Sequence, residues 1–253
     1  MKKATKKRIE NLILLITVIL TLGFLGYWIF FRKGPHFVFY PDFGIQIPVR
    51  YTVHGIDVSH HNDVINWQQV KAMQVKEISL SFCYIKATEG VKDEDELFER
   101  NWKKTKEVGI TRGAYHFFLP QKSGKAQAEN FMNSVELESG DLPPVLDIEE
   151  TYGVRTPDIK KRVKEWLYTI EAYYHVKPII YTNVDYYKNF LGKDFDEYPL
   201  WVAHYLQSER PRIEREWTFW QHNEAGKVNG ILPGVDFNVF NGDSTAFKLL
   251  LKQ

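Results

Sequence analysis

The chain has 253 residues, 44% hydrophobic and 26% charged, with one cysteine and a formal net charge of +1. That is enough apolar material for a core of roughly 200 residues plus an appendage, which excludes a disordered chain. The near-neutral total hides an asymmetry: residues 1–33 carry seven Lys/Arg and one Glu, leaving the other 220 residues at −5 and giving no basic surface for nucleic acid.

Lys2, Lys3, Lys6, Lys7 and Arg8 precede twenty uncharged residues, Leu12 to Phe31, which Arg32 and Lys33 close. A helix of that length spans about 30 Å, the thickness of a bilayer's hydrocarbon core. The stronger basic cluster on its N-terminal side keeps the N-terminus cytoplasmic and exports the remainder of the chain to the periplasm or the cell exterior. Residues 1–33 are therefore expected to be a cytoplasmic tail and single-pass anchor. A cleaved signal peptide is the competing reading, opposed by bulky Tyr27, Trp28 and Phe30 where small residues would precede a cleavage site. Residues 34–52, with Pro35, Pro41 and Pro48 among aromatics, read as a semi-extended spacer. Cys83, flanked by apolar residues in "SFCYIKA", reads as a small core residue; alone, it permits no internal disulfide and says nothing of the redox compartment.

From Val53 to the end of the chain, short β-rich runs alternate with amphipathic helical runs. "VHGIDVS", "ISLSFCYIKA", "TRGAYHFFL", "PPVLDIE" and "KPIIYTN" read as strands bounded by Gly, Pro or Asn. The clearest helix has Thr156 as N-cap and Pro157 in its first turn, then sets Ile159, Val163, Trp166, Leu167, Ile170 and Tyr174 on one face. "PLWVAHY", "WTFWQHN" and "VDFNVF" come next, with little helical sequence between them. Eight strands, the first five with helices, imply an α/β parallel sheet, closed into a TIM-like barrel whose last three strands are bare. The barrel is expected over residues 53–253.

In such a barrel the chemistry gathers at the C-terminal ends of the strands. Asp57 ends the first strand, Asp147 and Glu149 end the fourth, and Asp236 belongs to the last. Any one of these acids is more simply a loop cap, but four from three distant segments converging on one mouth are not. Crowded carboxylates raise one another's pKa values, so that one stays protonated as a general acid while a neighbour stays ionised, the arrangement that glycoside hydrolysis needs. Tyr115, Tyr181, Trp201 and Trp220 offer rings to stack on a pyranose, with Lys86 and Gln221 as hydrogen-bond donors. His60 and His61, adjacent in an extended segment, are expected to point apart, and no ligand set of accepted spacing accompanies them, so neither metal nor cofactor is expected. His116 is expected to be a hydrogen-bonded barrel residue, and Glu150 to face away from Glu149.

"GIDVSHHNDVINW" (55–67), "YIKATEG" (84–90), "GAYHFF" (113–118), "LDIE" (146–149), "IIYTN" (179–183), "LWVAHY" (200–205), "FWQHN" (219–223) and "VDFNVF" (235–240) together resemble family 25 of the glycoside hydrolases, in the family's order and over nearly the whole exported part. The resemblance implies a bacterial lysozyme of the N-acetylmuramidase type, cutting the β-1,4 bond from N-acetylmuramic acid to N-acetylglucosamine in peptidoglycan strands. It implies Glu149 as proton donor, Asp147 as its partner, Asp57 and Asp236 as supporting acids, and Tyr115, Tyr181 and Trp201 as substrate contacts. His61, Asn62 and Asp63 depart from the family's pattern. A hydrolase of another N-acetylated glycan such as chitin, and a glycan-binding module without turnover, are the alternatives; retention of all four acids argues against the second.

Overall fold

The computed structural model describes residues 2–31, 36–205, 207 and 209–253; Arg32, Lys33, Gly34 and Pro35, the end of the expected anchor and the start of the expected spacer, lie outside the described residues. The chain divides into two compact units, residues 1–36 and 37–253. The first is one helix, α1 (Lys2–Phe31). Its segment Lys6–Trp28, 23 residues at a mean hydropathy of 2.1, is long and apolar enough to cross a membrane. Inside it the Thr17 and Thr21 hydroxyls donate back to the carbonyls of Ile13 and Thr17, so neither polar side chain needs a partner outside the helix.

The second unit is an eight-stranded barrel. Its strands are β1 (His54–Val58), β2 (Ile78–Glu89), β3 (Thr111–Phe117), β4 (Val145–Asp147), β5 (Ile179–Asn183), β6 (Leu200–Ala203), β7 (Phe219–Val228) and β8 (Ile231–Phe240). Around the barrel the order is β1-β8-β7-β6-β5-β4-β3-β2, and β2 closes it by pairing in parallel with β1. One strand departs from the expected parallel sheet, because β8 runs antiparallel to both β7 and β1. The cause is local: only Asn229 and Gly230 join β7 to β8, with Gly230 at φ 92°, and so short a link can make only a hairpin.

Helices α2 (Trp67–Ala72), α3 (Phe98–Glu107), α4 (Gly124–Ser134) and α5 (Thr156–Tyr174) come after the first four strands. After β5 the helix is reduced to α6 (Val184–Tyr186) and two irregular turns ending at Phe195; among the described residues no helix separates β6 from β7, and α7 (Ser244–Leu250) follows β8. The apolar face expected on α5 is buried against the barrel from Ile159 to Tyr174, with Arg155 rather than Thr156 as the cap.

Period-2 alternation divides the core into two layers. Along β2, Cys83 and Ile85 pack outward with the helices, while Phe82 and Tyr84 pack into the barrel with Trp201 and Phe219. The large interior rings fit because two strand positions lack a side chain: a Cβ at Gly113 would stand 2.3 Å from Tyr84 Cε1, and one at Gly55 2.5 Å from the Phe82 carbonyl oxygen. Phe247 of α7 packs on Phe82 and Phe240, ring centroids 5.6 and 5.3 Å away, within this inner layer.

Residues 37–52 are not the spacer the prolines suggested. Phe37–Tyr40 pairs with Ile45–Pro48 in an antiparallel hairpin. Phe43 is buried edge-on against Phe237, centroids 5.3 Å apart, and its carbonyl accepts a 2.8 Å hydrogen bond from the Lys227 amide. Tyr51 packs against Trp217 and Trp220. The alternation at Ile45, Gln46 and Ile47, buried, exposed and buried, carried the strand signal that the prolines obscured.

Candidate active site

Asp57 points into the barrel between outward-packing Ile56 and Val58 and pairs in register with Asp236 on β8. One carboxylate oxygen, Oδ2, accepts hydrogen bonds from Gln221 Nε2 at 2.9 Å and Asn238 Nδ2 at 2.6 Å. Both amides are oriented from behind: Gln221 Oε1 accepts from the hydroxyls of Tyr181 (2.8 Å) and Tyr205 (2.6 Å), and Asn238 Oδ1 from Trp201 Nε1 (2.8 Å). Each amide thus has one donor orientation left, and it aims at Asp57.

Asp236 completes this wall. Burial and then the charge and hydrogen bond of Asp57 push its pKa up to about 9, so near neutrality it is the protonated donor and Asp57 the acceptor. Because β8 is antiparallel, its N-terminal half, not its end, reaches the mouth.

The opposite wall is built differently. Asp147 is the last residue of β4, beside Phe117 and Tyr181 on the neighbouring strands. It is buried, and among the described residues its Oδ1 has no hydrogen-bond partner. Burial, then the charges of Glu149 and Asp57, hold its pKa well above the usual carboxylate range, with Lys86 acting in the opposite direction. Glu149 lies two residues past the end of the strand, in a loop, and is partly exposed. Burial, then Asp57 and Glu150, push its pKa to about 7. Glu150 itself is exposed.

Lys86 enters the cavity because period-2 alternation puts it on the inward face with Phe82 and Tyr84; after it β2 shifts register against β3, between Lys86 and Thr88. Its ammonium pairs with Glu89 at 2.6 Å and lies 5.0 Å from the Phe117 ring centroid. Thr88 turns outward and bonds His116 Nδ1 at 2.7 Å, and His116 also meets Gln127 and stacks on Trp166, a buried structural residue.

Nine residues singled out from the sequence, Asp57, Lys86, Tyr115, Asp147, Glu149, Tyr181, Trp201, Gln221 and Asp236, line one cavity of about 450 Å³ at the mouth of the barrel. Ser59, His61, Phe117, Tyr205 and Glu224 line it too. Tyr205 and Asn238 had a readable signal, since Trp201-Ala203-Tyr205 and Asp236-Asn238 share a face by alternation. Trp220 does not belong: one position from Gln221, it faces outward, where Tyr51, Trp217 and Phe37 surround it and its Nε1 donates to the His204 carbonyl.

The tandem histidines also differ from expectation. His60–Asn62 is a single 3₁₀ turn, not an extended segment, so the two rings stand side by side with centroids 4.0 Å apart, and His60 Nδ1 bonds Asp95 at 2.7 Å. Among the described residues no three His, Cys, Asp or Glu form a group that could hold a metal ion. A larger open groove of about 990 Å³, between the ends of α4 and α5 and residues 249–253, has one acid, Glu136, among its lining residues, in contrast to the acids gathered at the barrel mouth.

The model for glycosyl hydrolases family 25 matches residues 56–231. Protein YegX of Escherichia coli strain K12 is 47% identical over 201 residues, 79% of this chain and 74% of that protein. Lysozyme M1 of Streptomyces globisporus is 37% identical over 211 residues, 76% of this chain and 69% of that protein. Among solved structures, the bacterial lysozyme from Streptomyces coelicolor superposes with a TM-score of 0.72 at 35% identity, covering 79% of this chain and 97% of that one.

Proposed function

The chain belongs to family 25 of the glycosyl hydrolases, and on that premise we propose how its cavity cuts peptidoglycan between N-acetylmuramic acid and N-acetylglucosamine. The enzyme is a glycoside hydrolase of lysozyme type. The observation that carries the mechanism is the contrast around the carboxylates: Asp57 accepts two amide donors and pairs with Asp236, whereas Asp147 keeps a buried oxygen with no partner among the described residues, near a Glu149 that titrates at about 7.

Glu149, with a pKa of about 7 still largely protonated just below neutral pH, gives its proton to the glycosidic oxygen as the bond to the leaving sugar breaks. Asp147 and Glu149 come from one strand end, so both approach the sugar from one side. That suits a donor and a helper better than a donor and an opposing nucleophile. The orphaned Asp147 Oδ1 fits the N–H of the substrate's 2-acetamido group, a donor that would lower the pKa of Asp147 and favour its ionised form. Held so, the acetamido oxygen attacks the anomeric carbon, while the Asp147 carboxylate stabilises the positive charge that develops on the ring-closed intermediate. Glu149, now a base, activates the water that opens this intermediate, and the product keeps the β configuration. Asp57 and Asp236 share one proton beneath the reacting atoms and keep the negative charge of the site on Asp57. Tyr115, Tyr181 and Trp201 shape the walls for the sugar.

The test is to incubate the full chain with purified peptidoglycan and analyse the new reducing ends. Muramic acid reducing ends, first seen by proton NMR as the β-anomer, are expected. N-acetylglucosamine ends, or first appearance of the α-anomer, overturn the proposal. Cleavage of chitin at a comparable rate would instead favour the reading as a general N-acetylglycan hydrolase.

We propose further that α1 is an uncleaved anchor, with the residue 1–11 tail cytoplasmic and the barrel exported. Its length and apolar composition, together with the basic residues before it, support this. Full-length protein should remain in membranes after carbonate washing; a mature protein beginning after about residue 26 would identify a cleaved signal instead.

A further inference from the structure

The loop that carries Glu149 continues into a turn whose local sequence works against its own backbone. Tyr152 and Gly153 have φ of 47° and 75°, and the Val154 amide closes the turn on the Thr151 carbonyl at 2.9 Å. Two successive positive φ values are the mark of a mirror-image type I turn, for which Asn-Gly is the favoured pair. Tyrosine is a poor choice there, since its Cβ crowds the backbone in the left-handed region.

Among the described residues the ring makes no specific contact in return. Tyr152 is 45% exposed, and among the described residues its side chain has neither a hydrogen-bond partner nor a ring neighbour; only its carbonyl is used, by Gln121. The turn also projects into open space, because a Cβ at Gly153 would meet nothing within 4 Å. Yet the phenol feels the cleft: after burial at its root, the charges of Glu89, Glu150, Asp147 and Glu149 push its pKa up. Tyr152 is not among the residues that line the cavity, and it lies three residues, at most about 11 Å of chain, beyond the proton donor.

We propose that Tyr152 is a stacking platform for a sugar ring of the glycan strand outside the cavity, an additional subsite that grips long strands next to the bond being cut. A strained, exposed aromatic on the loop of the proton donor is explained by a ligand whose apolar ring face it covers, and by nothing in the folded chain. The inference rests on the muramidase reading of the same cleft.

Tyr152→Asn tests it, because asparagine suits the turn and removes only the ring. The KM for long purified glycan strands should rise roughly three- to tenfold with kcat nearly unchanged, the range for one lost ring contact. Cleavage of the shortest substrate, a single N-acetylmuramic acid to N-acetylglucosamine pair, should not change. Tyr152→Phe should behave as wild type, and the melting temperature of Tyr152→Asn should equal or exceed the parent's. Equal effects on short and long substrates, or none on either, overturn the subsite. Strand binding read apart from cleavage separates the two failures: wild-type binding that Tyr152→Asn leaves intact overturns the subsite, whereas strands gripped through Tyr152 but never cut support it and overturn the catalytic reading alone.

Discussion

The two walls of the cavity are opposites in how they treat a carboxylate. On the β1–β8 side, Asp57 is buried with two amide donors and a protonated acid, each amide locked by Tyr181, Tyr205 or Trp201. On the β4 side, Asp147 is equally buried, has an oxygen with no partner among the described residues, and stands near a second acid in a loop. A buried polar atom without a partner costs about 1–3 kcal/mol, so the β4 wall holds a deficit that substrate can relieve, while the β1–β8 wall is complete before substrate arrives. In the proposed mechanism preorganisation belongs to one pair of acids, and chemistry to the other.

The largest effect that sharpens this contrast is expected at Glu149. Glu149→Gln keeps the size but has no acidic proton for the leaving oxygen, so kcat should fall about 10²- to 10⁴-fold with the melting temperature nearly unchanged. A folded Glu149→Gln protein with near-wild-type turnover would remove the residue from the role.

Next come two amide-and-acid substitutions that should behave oppositely. Asp147→Asn removes a carboxylate that burial and its like-charged neighbours disfavour, so stability should hold or rise while turnover on peptidoglycan collapses. Asn238→Ala strips Asp57 of its 2.6 Å donor and Trp201 of its acceptor at once. About 1–3 kcal/mol of stability should be lost, some 2–10 °C in melting temperature, with turnover reduced less than in Asp147→Asn. Thermal melts and initial rates on the two variants check this. If Asp147→Asn is the more destabilised of the two, the walls are not different in kind.

With Glu149 as the proposed proton donor, the pH dependence of the rate should follow its titration. A general acid works only when protonated, so with its pKa near 7 the rate should decline about tenfold per pH unit on the alkaline side of neutrality. Constant kcat/KM from pH 6 to 9 would show that another group donates.

The same contrast explains what the sequence could disclose. Asp57 of "GIDVS" and Asp147 of "LDIE" were legible because period-2 spacing fixes which strand residues face the mouth, whereas Glu149, in the loop beyond β4, was legible because like charges rarely converge without a use. Parity along β7, where Gln221 faces in and Trp220 out, was set only by pairing, so a ring one position away looked as suitable as its neighbour. The Asn229-Gly230 pair already signalled a hairpin and so an antiparallel last strand, a signal outweighed by the βα alternation earlier in the chain. The 37–48 hairpin stayed hidden because two prolines dominate so short a stretch. The loss of the Asp147 partner was beyond reach, since an unpaired oxygen is a property of everything around it.

The smallest expected effect is on stability, and its sign is the informative part. In the folded protein Asp236 titrates at about 9 and Glu149 at about 7, against ordinary values of 3.8 and 4.5. Between those limits the folded chain holds more protons than the unfolded one, so stability is full below about pH 4 as far as these groups are concerned and declines as pH rises toward 9. Asp236→Asn should flatten the upper part of that decline. Asparagine cannot ionise, yet its amide can still donate to Asp57 as the protonated acid does, so the wall keeps its hydrogen bond without its titration. Melting temperatures measured from pH 7 to 9, above the range in which the buried neutral His54, His116 and His222 make stability rise with pH, should therefore fall in the wild type and fall less in Asp236→Asn. Wild-type stability that instead rises through this range would mean that Asp236 is ionised in the folded protein, and that the β1–β8 wall carries two negative charges where we assign one.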